Sequence, residues 1–381
     1  MVSRISVKVG IVTLILLIYY FVPCCFSQNH YQSYQLSDSP DGSIRYRLNV
    51  VVSESLFEYY QQRPHTLSSN HDFTSFVTPY VLEPIAERLW EIYTDDEDFA
   101  NGVLMIVHQI PYEETLPVKY PVETIVENKG DCDLFSYIAA SIMEAGGLDA
   151  VLLYYESEAH MNVGVHLSHP PNDARGHPHY VTYRDTRYYV AECTGEDWTN
   201  GWRVGECPDS LRLASPTVVT LENIEEWAPG QVSASYDTLN PSAISFTISS
   251  AYIIEGGTTT LSGQLSPPLP QETVTIYIRV NNLPLTVLDT ITTRSDGKFT
   301  YTWRPDIAGL HYVRASWSGN HDYSGADGPT HHIMIFPLFL VLLLIVIMVL
   351  LVVGTIIFLA AGKSGQQAQE PLPPAIPSYA T

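Results

Sequence analysis

Gly130-Asp131-Cys132-Asp133-Leu134-Phe135-Ser136-Tyr137-Ile138 places one cysteine at the mouth of an apolar run. Leu134, Ile138, Ile142 and Ala145 recur at near-helical spacing and Gly146-Gly147 closes the run, so the pattern predicts a helix with Cys132 in its first turn. There the macrodipole and the free amide groups favour an anion, which suits a nucleophilic thiolate. Asp131 is placed to act as N-cap and Asp133 shares the turn. Both are ordinary helix-start residues, and as anions they oppose thiolate formation, so their expected roles are structural.

Downstream, Leu148 to Tyr155 reads as a strand and His160-Met161-Asn162-Val163-Gly164-Val165-His166-Leu167 as a second. Period-two alternation sends Met161, Val163, Val165 and Leu167 to the core and leaves His160, Asn162, Gly164 and His166 on the other face. A third strand, Tyr188-Tyr189-Val190-Ala191-Glu192, ends in an acid, and a bare carboxylate is costly there unless it has a partner. A histidine serves. Upstream, Tyr46 to Val52 reads as a strand, and Tyr80 to Tyr93 as a helix with Val81, Ile85, Leu89 and Ile92 on one stripe. Gly102 to Gln109 is a further helix, and no chemistry is visible in either.

Tyr120-Pro121-Val122-Glu123-Thr124, Gly130-Asp131-Cys132-Asp133, His160 to Val165, Tyr188 to Glu192 and Gly201-Trp202-Arg203-Val204-Gly205-Glu206 resemble, in order and spacing, the prokaryotic branch of the transglutaminase-like superfamily. The resemblance covers roughly residues 80 to 208 and implies a papain-like α+β domain, with a Cys at a helix N-terminus packed on a sheet that supplies a His and an acid. It makes Cys132 the nucleophile, His160 the base and Glu192 the residue that orients the imidazole. Two departures stand out. The widespread form has Asp followed by Pro where this chain has Glu192 followed by Cys193, and Ser168 to Thr186 enlarges the gap between the His and the acid.

Cysteine arithmetic adds a redox expectation. If Cys24 and Cys25 leave with a signal peptide, Cys193 and Cys207 are available to pair outside the cell and Cys132 stays free; a bridge from Cys132 to either would abolish the thiol. The insertion also holds His166, His169, His177 and His179 around Asp173, but without the spacing of a metal motif, and Pro170-Pro171, Gly176 and Pro178 mark it as a mobile loop. No metal and no cofactor is expected. No phosphate loop or dinucleotide fingerprint is present.

The ends of the 381-residue chain set its topology. Arg4 and Lys8 precede an apolar run to Phe26, the layout of a secretory signal over residues 1–27, cleaved after Ser27 or kept as an anchor. Ile333 to Gly362 is uncharged, and Pro337 to Ala361 alone makes about 37 Å of helix, enough for one transmembrane span. Lys363 follows, so the positive-inside rule keeps both ends cytoplasmic and puts the middle outside. The tail, 363–381, is short and proline-rich. Of the chain's 41 acidic and 19 basic residues, all but Arg4, Lys8, Lys363 and Glu370 lie between Ser27 and His332, leaving 16 minus 40, or −24, in that middle part. Nucleic acid is thereby an improbable partner.

The middle divides at a change of texture: the helical, histidine-bearing 28–212, a linker over 213–240, and a strand-rich module over 241–332. In the last, Ala251 to Ile254, Val274 to Ile278, Phe299 to Trp303 and His311 to Trp317 alternate with turns at Gly256-Gly257, Ser295-Asp296-Gly297 and Pro305 to Gly309. This reads as an all-β sandwich. It resembles the Ig-like repeats of prokaryotic surface proteins, whose bland role here is a spacer. The expected whole is a single-pass cell-membrane protein with its ectodomain outside. It acts as a cysteine peptidase or amidase on protein or peptide amides, cell-envelope components included, with hydrolysis favoured over transamidation. The rival readings are a non-catalytic adhesion or binding protein that keeps the fold, and a metal-dependent sensor using the insertion histidines.

Overall fold

The computed structural model describes residues 29–195, 197–222 and 224–364. The expected signal peptide, with Cys24 and Cys25, and the tail beyond 364 lie outside the described residues. The body is mostly β. Helix α5 (Cys132–Ala145) forms where the apolar spacing places it, ending at Gly146, and Gly147 follows at φ 83°, a conformation glycine adopts without strain. It lies on a five-stranded antiparallel sheet of order β5-β6-β4-β3-β7, in which β3 is Ala150–Tyr155, β4 His160–Val165, β5 Tyr180–Tyr183, β6 Thr186–Ala191 and β7 Thr217–Thr220.

Alternation fixes which side chains meet the helix. Met161, Val163 and Val165 share one core with Leu134, Ile138 and Ile142 of α5, as their period predicts. The opposite face is buried too: Val151, Leu153, Tyr155, Tyr188, Val190, Cys207 and Leu211 form a second cluster there. Asn162 and Gly164 are therefore inside the protein, where a one-sided sheet would expose them.

Around this unit pack α2 (Pro79–Ile92), α3 (Asp96–Val107) and the short α4 (Pro121–Glu127). Helix α3 begins six residues before the expected Gly102, because the Asp95 side chain accepts the amide of Asp98 and three acids fill the first turn. A separate three-stranded sheet joins β1 (His30–Ser37), β2 (Arg45–Val52) and β8 (Ser233–Ser235). The stretch 213–240 is thus not a free linker, since it supplies β7 to one sheet and β8 to the other.

The C-terminal β module stacks two sheets over one core. One holds β10 (Tyr252–Ile254), β17 (His331–Phe336), β15 (Gly309–Gly319), β12 (Thr273–Val280) and β13 (Thr286–Thr292), with β16 (Ser324–Asp327) on β15. The other holds β14 (Lys298–Trp303), β11 (Thr259–Ser266) and β9 (Ala243–Ile248). All four expected strands form. The Ser295-Asp296-Gly297 turn, however, passes the chain between sheets, since β13 and β14 belong to different ones. Val274, Ile276, Val313, Ala315 and Trp317 point into the core, so Thr275, Tyr277, Arg314 and Ser316 point out, yet these are buried as well. Helix α1 (Glu54–Gln61) and its surroundings cover them: Glu58 pairs with Arg314, Ser55 Oγ donates to Asp327 at 2.7 Å, and Thr275 Oγ1 donates to the Pro229 carbonyl at 2.5 Å. The module is packed against the first domain and does not hang from it. After Phe336 one helix, α6 (Leu338–Ser364), carries an exposed apolar stretch over Leu338–Phe358, long enough to cross a membrane.

Candidate active site

Helix α5 delivers Cys132 in its first turn, β4 opens on His160, and Glu192 follows the last residue of β6. Because β4 pairs with β6 in register Val163 to Ala191, the start of one strand lies beside the end of the other. The three expected residues come together. His160 Nε2 lies 3.0 Å from Oε2 and 3.1 Å from Oε1 of Glu192, and the Cys132 thiol lines the same cleft as the imidazole and raises its affinity for a proton. With Nε2 committed to the carboxylate, Nδ1 is the nitrogen left for the sulfur.

Burial opposes charge on the imidazole, but the neighbouring Cys132 thiol, the hydrogen bonds to Glu192 and the attraction of the carboxylate outweigh it, raising His160 from 6.5 to about 10. Burial likewise opposes the Glu192 charge, yet hydrogen bonds from His160 and Thr194 hold its carboxyl below the usual range. The side chain is fully enclosed and accepts from four groups. Besides His160, these are Thr194 N at 2.9 Å, Thr194 Oγ1 at 2.6 Å and Asn162 Nδ2 at 3.3 Å. A buried carboxylate with this many donors stays ionised and does not migrate.

The coupling carries a pH signature. Protonated His160 stabilises the fold fully below its ordinary 6.5, and that contribution is lost as pH rises through about 10. The Glu192 contribution runs the other way, present above the usual carboxylate range and lost as pH falls through its depressed value. The stability difference between the native chain and His160→Gln, measured by urea unfolding from pH 6 to 11, should therefore shrink steadily from about pH 6.5 and level off above about pH 10. A pH-independent difference contradicts the ion pair.

Several positioning groups escaped sequence reading. His108, at the C-terminus of α3, is buried and donates from Nε2 to the Glu192 carbonyl at 2.9 Å, while burial lowers its own affinity for a proton. Gly195 and Gly201 pack on its ring, and a Cβ at Gly201 would come within 2.4 Å of Nδ1. A histidine directly after the apolar run Val103 to Val107 is the one signal in the sequence that could have marked it. Asp131 takes the N-cap position, but its side chain makes no cap bond; Oδ2 accepts the amide of Thr115 at 2.8 Å. It thereby ties the 111–117 loop to the cysteine, helped by Glu113 N donating to Gly130 O at 2.7 Å. Asp131 Oδ1 is buried beside Asp133 with no ordinary donor. Burial and the neighbouring Asp131 carboxyl raise Asp133 to about 8, so at neutral pH Asp133 opposes the thiolate less than an ionised carboxylate would.

The expected Cys193–Cys207 disulfide is absent: Cys132, Cys193 and Cys207 are all free thiols. Cys193 packs in the core with helix α5, whereas Cys207 belongs to the cluster on the other face of the sheet. The sheet lies between them. Burial pushes both thiols up, Cys207 to about 11.

The insertion 168–186 is tied down, contrary to its proline and glycine content. Glu97 accepts the amides of Asn172 at 2.9 Å and Asp173 at 2.7 Å, and Glu206 binds the Arg175 guanidinium at 2.6 and 2.8 Å. The four histidines do not gather at one point, although His177 and His179 line one hollow. His166 bonds the Arg187 carbonyl at 3.1 Å and His179 lies near Cys207 in that hollow. Asp95, Asp96 and His169 bring ligand atoms within 4.8 Å of one another, but Asp95 already caps α3 and Asp96 accepts the Ser168 amide at 2.5 Å. The group anchors the insertion.

The sulfur and the imidazole open on a cleft of about 520 Å³, walled also by Phe73, Tyr112 and Tyr154. No protein-family model and no curated protein matches this chain. Among solved structures, a chitin-binding domain from Burkholderia pseudomallei aligns over 22% of this chain and 55% of its own length, at 13% identity and a TM-score of 0.18. A likeness so slight bears on neither fold nor ligand.

Proposed function

We propose that the chain is a membrane-anchored, extracellular thiol hydrolase acting on protein or peptide amides, of transglutaminase-like type, with the C-terminal β module as an Ig-like support. The observation that carries this reading is the convergence of Cys132, His160 and Glu192 at one end of the cleft. A structural cysteine has no need of a histidine whose far nitrogen is held by an enclosed carboxylate.

In the proposed reaction the Cys132 proton already rests on His160, as an imidazolium beside a thiolate, and the thiolate attacks the amide carbonyl. The imidazolium then gives that proton to the departing amine, leaving a thioester on Cys132. His160 next deprotonates a water, the hydroxide expels the thiolate, and the carboxylic acid leaves. The Cys132 amide, one of the unpaired N–H groups of the first helical turn, is placed to donate to the oxyanion. Glu192 holds the imidazole and balances its charge without itself changing protonation. Helix α6 spans the bilayer with Lys363 on the cytoplasmic side, placing the cleft outside.

The test is turnover on casein, which offers many backbone, Gln and Lys groups at once. The full chain in nonionic detergent should generate new peptide termini or convert Gln to Glu, both read by mass spectrometry. Unaltered casein with the folded native chain, under conditions where Cys132 is reduced, contradicts hydrolysis.

A further inference from the structure

The cleft has one sign of charge. Among the described residues lining it there is no Lys and no Arg, whereas Glu114, Asp131 and Asp133 all reach it. The one cation on its wall, His160, is matched by Glu192 behind it at 3.0 Å. The carboxyls of Glu114, Asp131 and Asp133 thus face the cleft with no Lys or Arg among them. Lys129, on the segment leading into Gly130, is occupied by Glu113 at 2.6 Å. The short turn that delivers His160 contributes exposed Glu156 and Glu158. The apolar walls matter independently, because Phe73, Tyr112 and Tyr154 present aromatic rings to the same space. Like-signed charges over low-dielectric walls concentrate counter-ions, and aromatic faces attract ammonium and guanidinium groups.

We propose that the cleft selects substrates carrying an ammonium or guanidinium group beside the reacting amide. The word substrate rests on the hydrolase reading above; the charge preference does not, and is measurable without turnover. Anionic peptides are excluded by the same carboxylates that hold cationic ones, so the selection is between substrates of equal length and opposite charge.

Methanethiosulfonates that differ only in charge read the preference at Cys132 itself: the thiolate forms a mixed disulfide and methanesulfinate leaves. The trimethylammonioethyl and sulfonatoethyl reagents are reacted with the full chain in nonionic detergent, the Cys132 peptide is quantified by mass, and the rate ratio is divided by that of the urea-unfolded chain. The expected cation-to-anion ratio is about tenfold or more at low salt, falling as salt is added. Glu114→Gln, at an exposed position, should narrow it by about threefold. In casein, the altered amides should lie beside Lys or Arg. A ratio of one or less, or one that Glu114→Gln leaves unchanged, overturns the selectivity whatever the turnover. Absent turnover with the ratio intact overturns the hydrolase reading and leaves the cation preference standing.

Discussion

Cys132→Ala should abolish casein hydrolysis, a loss of at least about a thousandfold, because no other thiol among the described residues is open to substrate. Cys193 and Cys207 are both buried, one on each face of the sheet. His160→Ala should fall almost as far, since the sulfur then lacks both its base and the proton donor for the leaving amine. Glu192→Gln should lose less, on the order of a hundredfold, because it changes the orientation and charge balance of the imidazole without removing a reacting group. Its carboxamide still offers Oε1 to Thr194, whose amide and hydroxyl lie 2.9 and 2.6 Å away, so the chain should remain folded. Retained activity in folded Cys132→Ala removes the mechanism; retained activity in Glu192→Gln removes only the third role.

Gly164→Val should strongly destabilise the domain that carries the site. Gly164 lies in the middle of β4, paired with Val151 on one side and Val190 on the other. A Cβ there would stand 2.9 Å from the Tyr188 Cβ, 3.0 Å from the Val151 Cγ2 and 3.2 Å from the Leu153 Cδ1. The first two sit close to neighbouring backbones and have little room to retreat. A valine adds two more methyl groups to a space already too small, and the cost is about 3 kcal/mol. Urea unfolding followed by the near-UV signal of the tyrosines should show the midpoint falling, with activity lost in parallel. A midpoint within error of the native chain would mean that the second buried face of the sheet is more loosely packed than described.

Much of the site was legible because its parts are local. A Cys before Leu134, Ile138 and Ile142 fixes the helix start, and alternation through Met161, Val163 and Val165 fixes the face of β4, so His160 and Cys132 are placed by short-range rules. Glu192 was legible as an acid needing a partner. What pattern does not contain is the covering of the far face. Cys207 and Leu211 come from a segment beyond the insertion, and period-two alternation cannot say that they will bury Asn162 and Gly164. The disulfide expectation failed for the same reason, since counting cysteines says nothing of which side of a sheet each one occupies. The strands β7 and β8 are four and three residues long, too short to show a period, and are held by pairing with β3 and β2 far away in sequence. The run Asp95 to Asp98 precedes the helix expected from Gly102 and carries no apolar period, yet Asp95 starts α3 and Glu97 is almost fully buried holding the insertion. His108 is a backbone anchor for Glu192 that only the packed structure brings to its partner across 84 positions.

Activation of Cys132 is tested most directly by trapping its acyl form. The full chain is mixed with p-nitrophenyl acetate at neutral pH, quenched with acid within the first turnover, and mapped by mass spectrometry. The triad predicts an acetyl group on Cys132 that neutral hydroxylamine removes, formed far faster than in His160→Ala and absent from Cys193 and Cys207. An unmodified Cys132, or one acylated no faster than in His160→Ala, would contradict it.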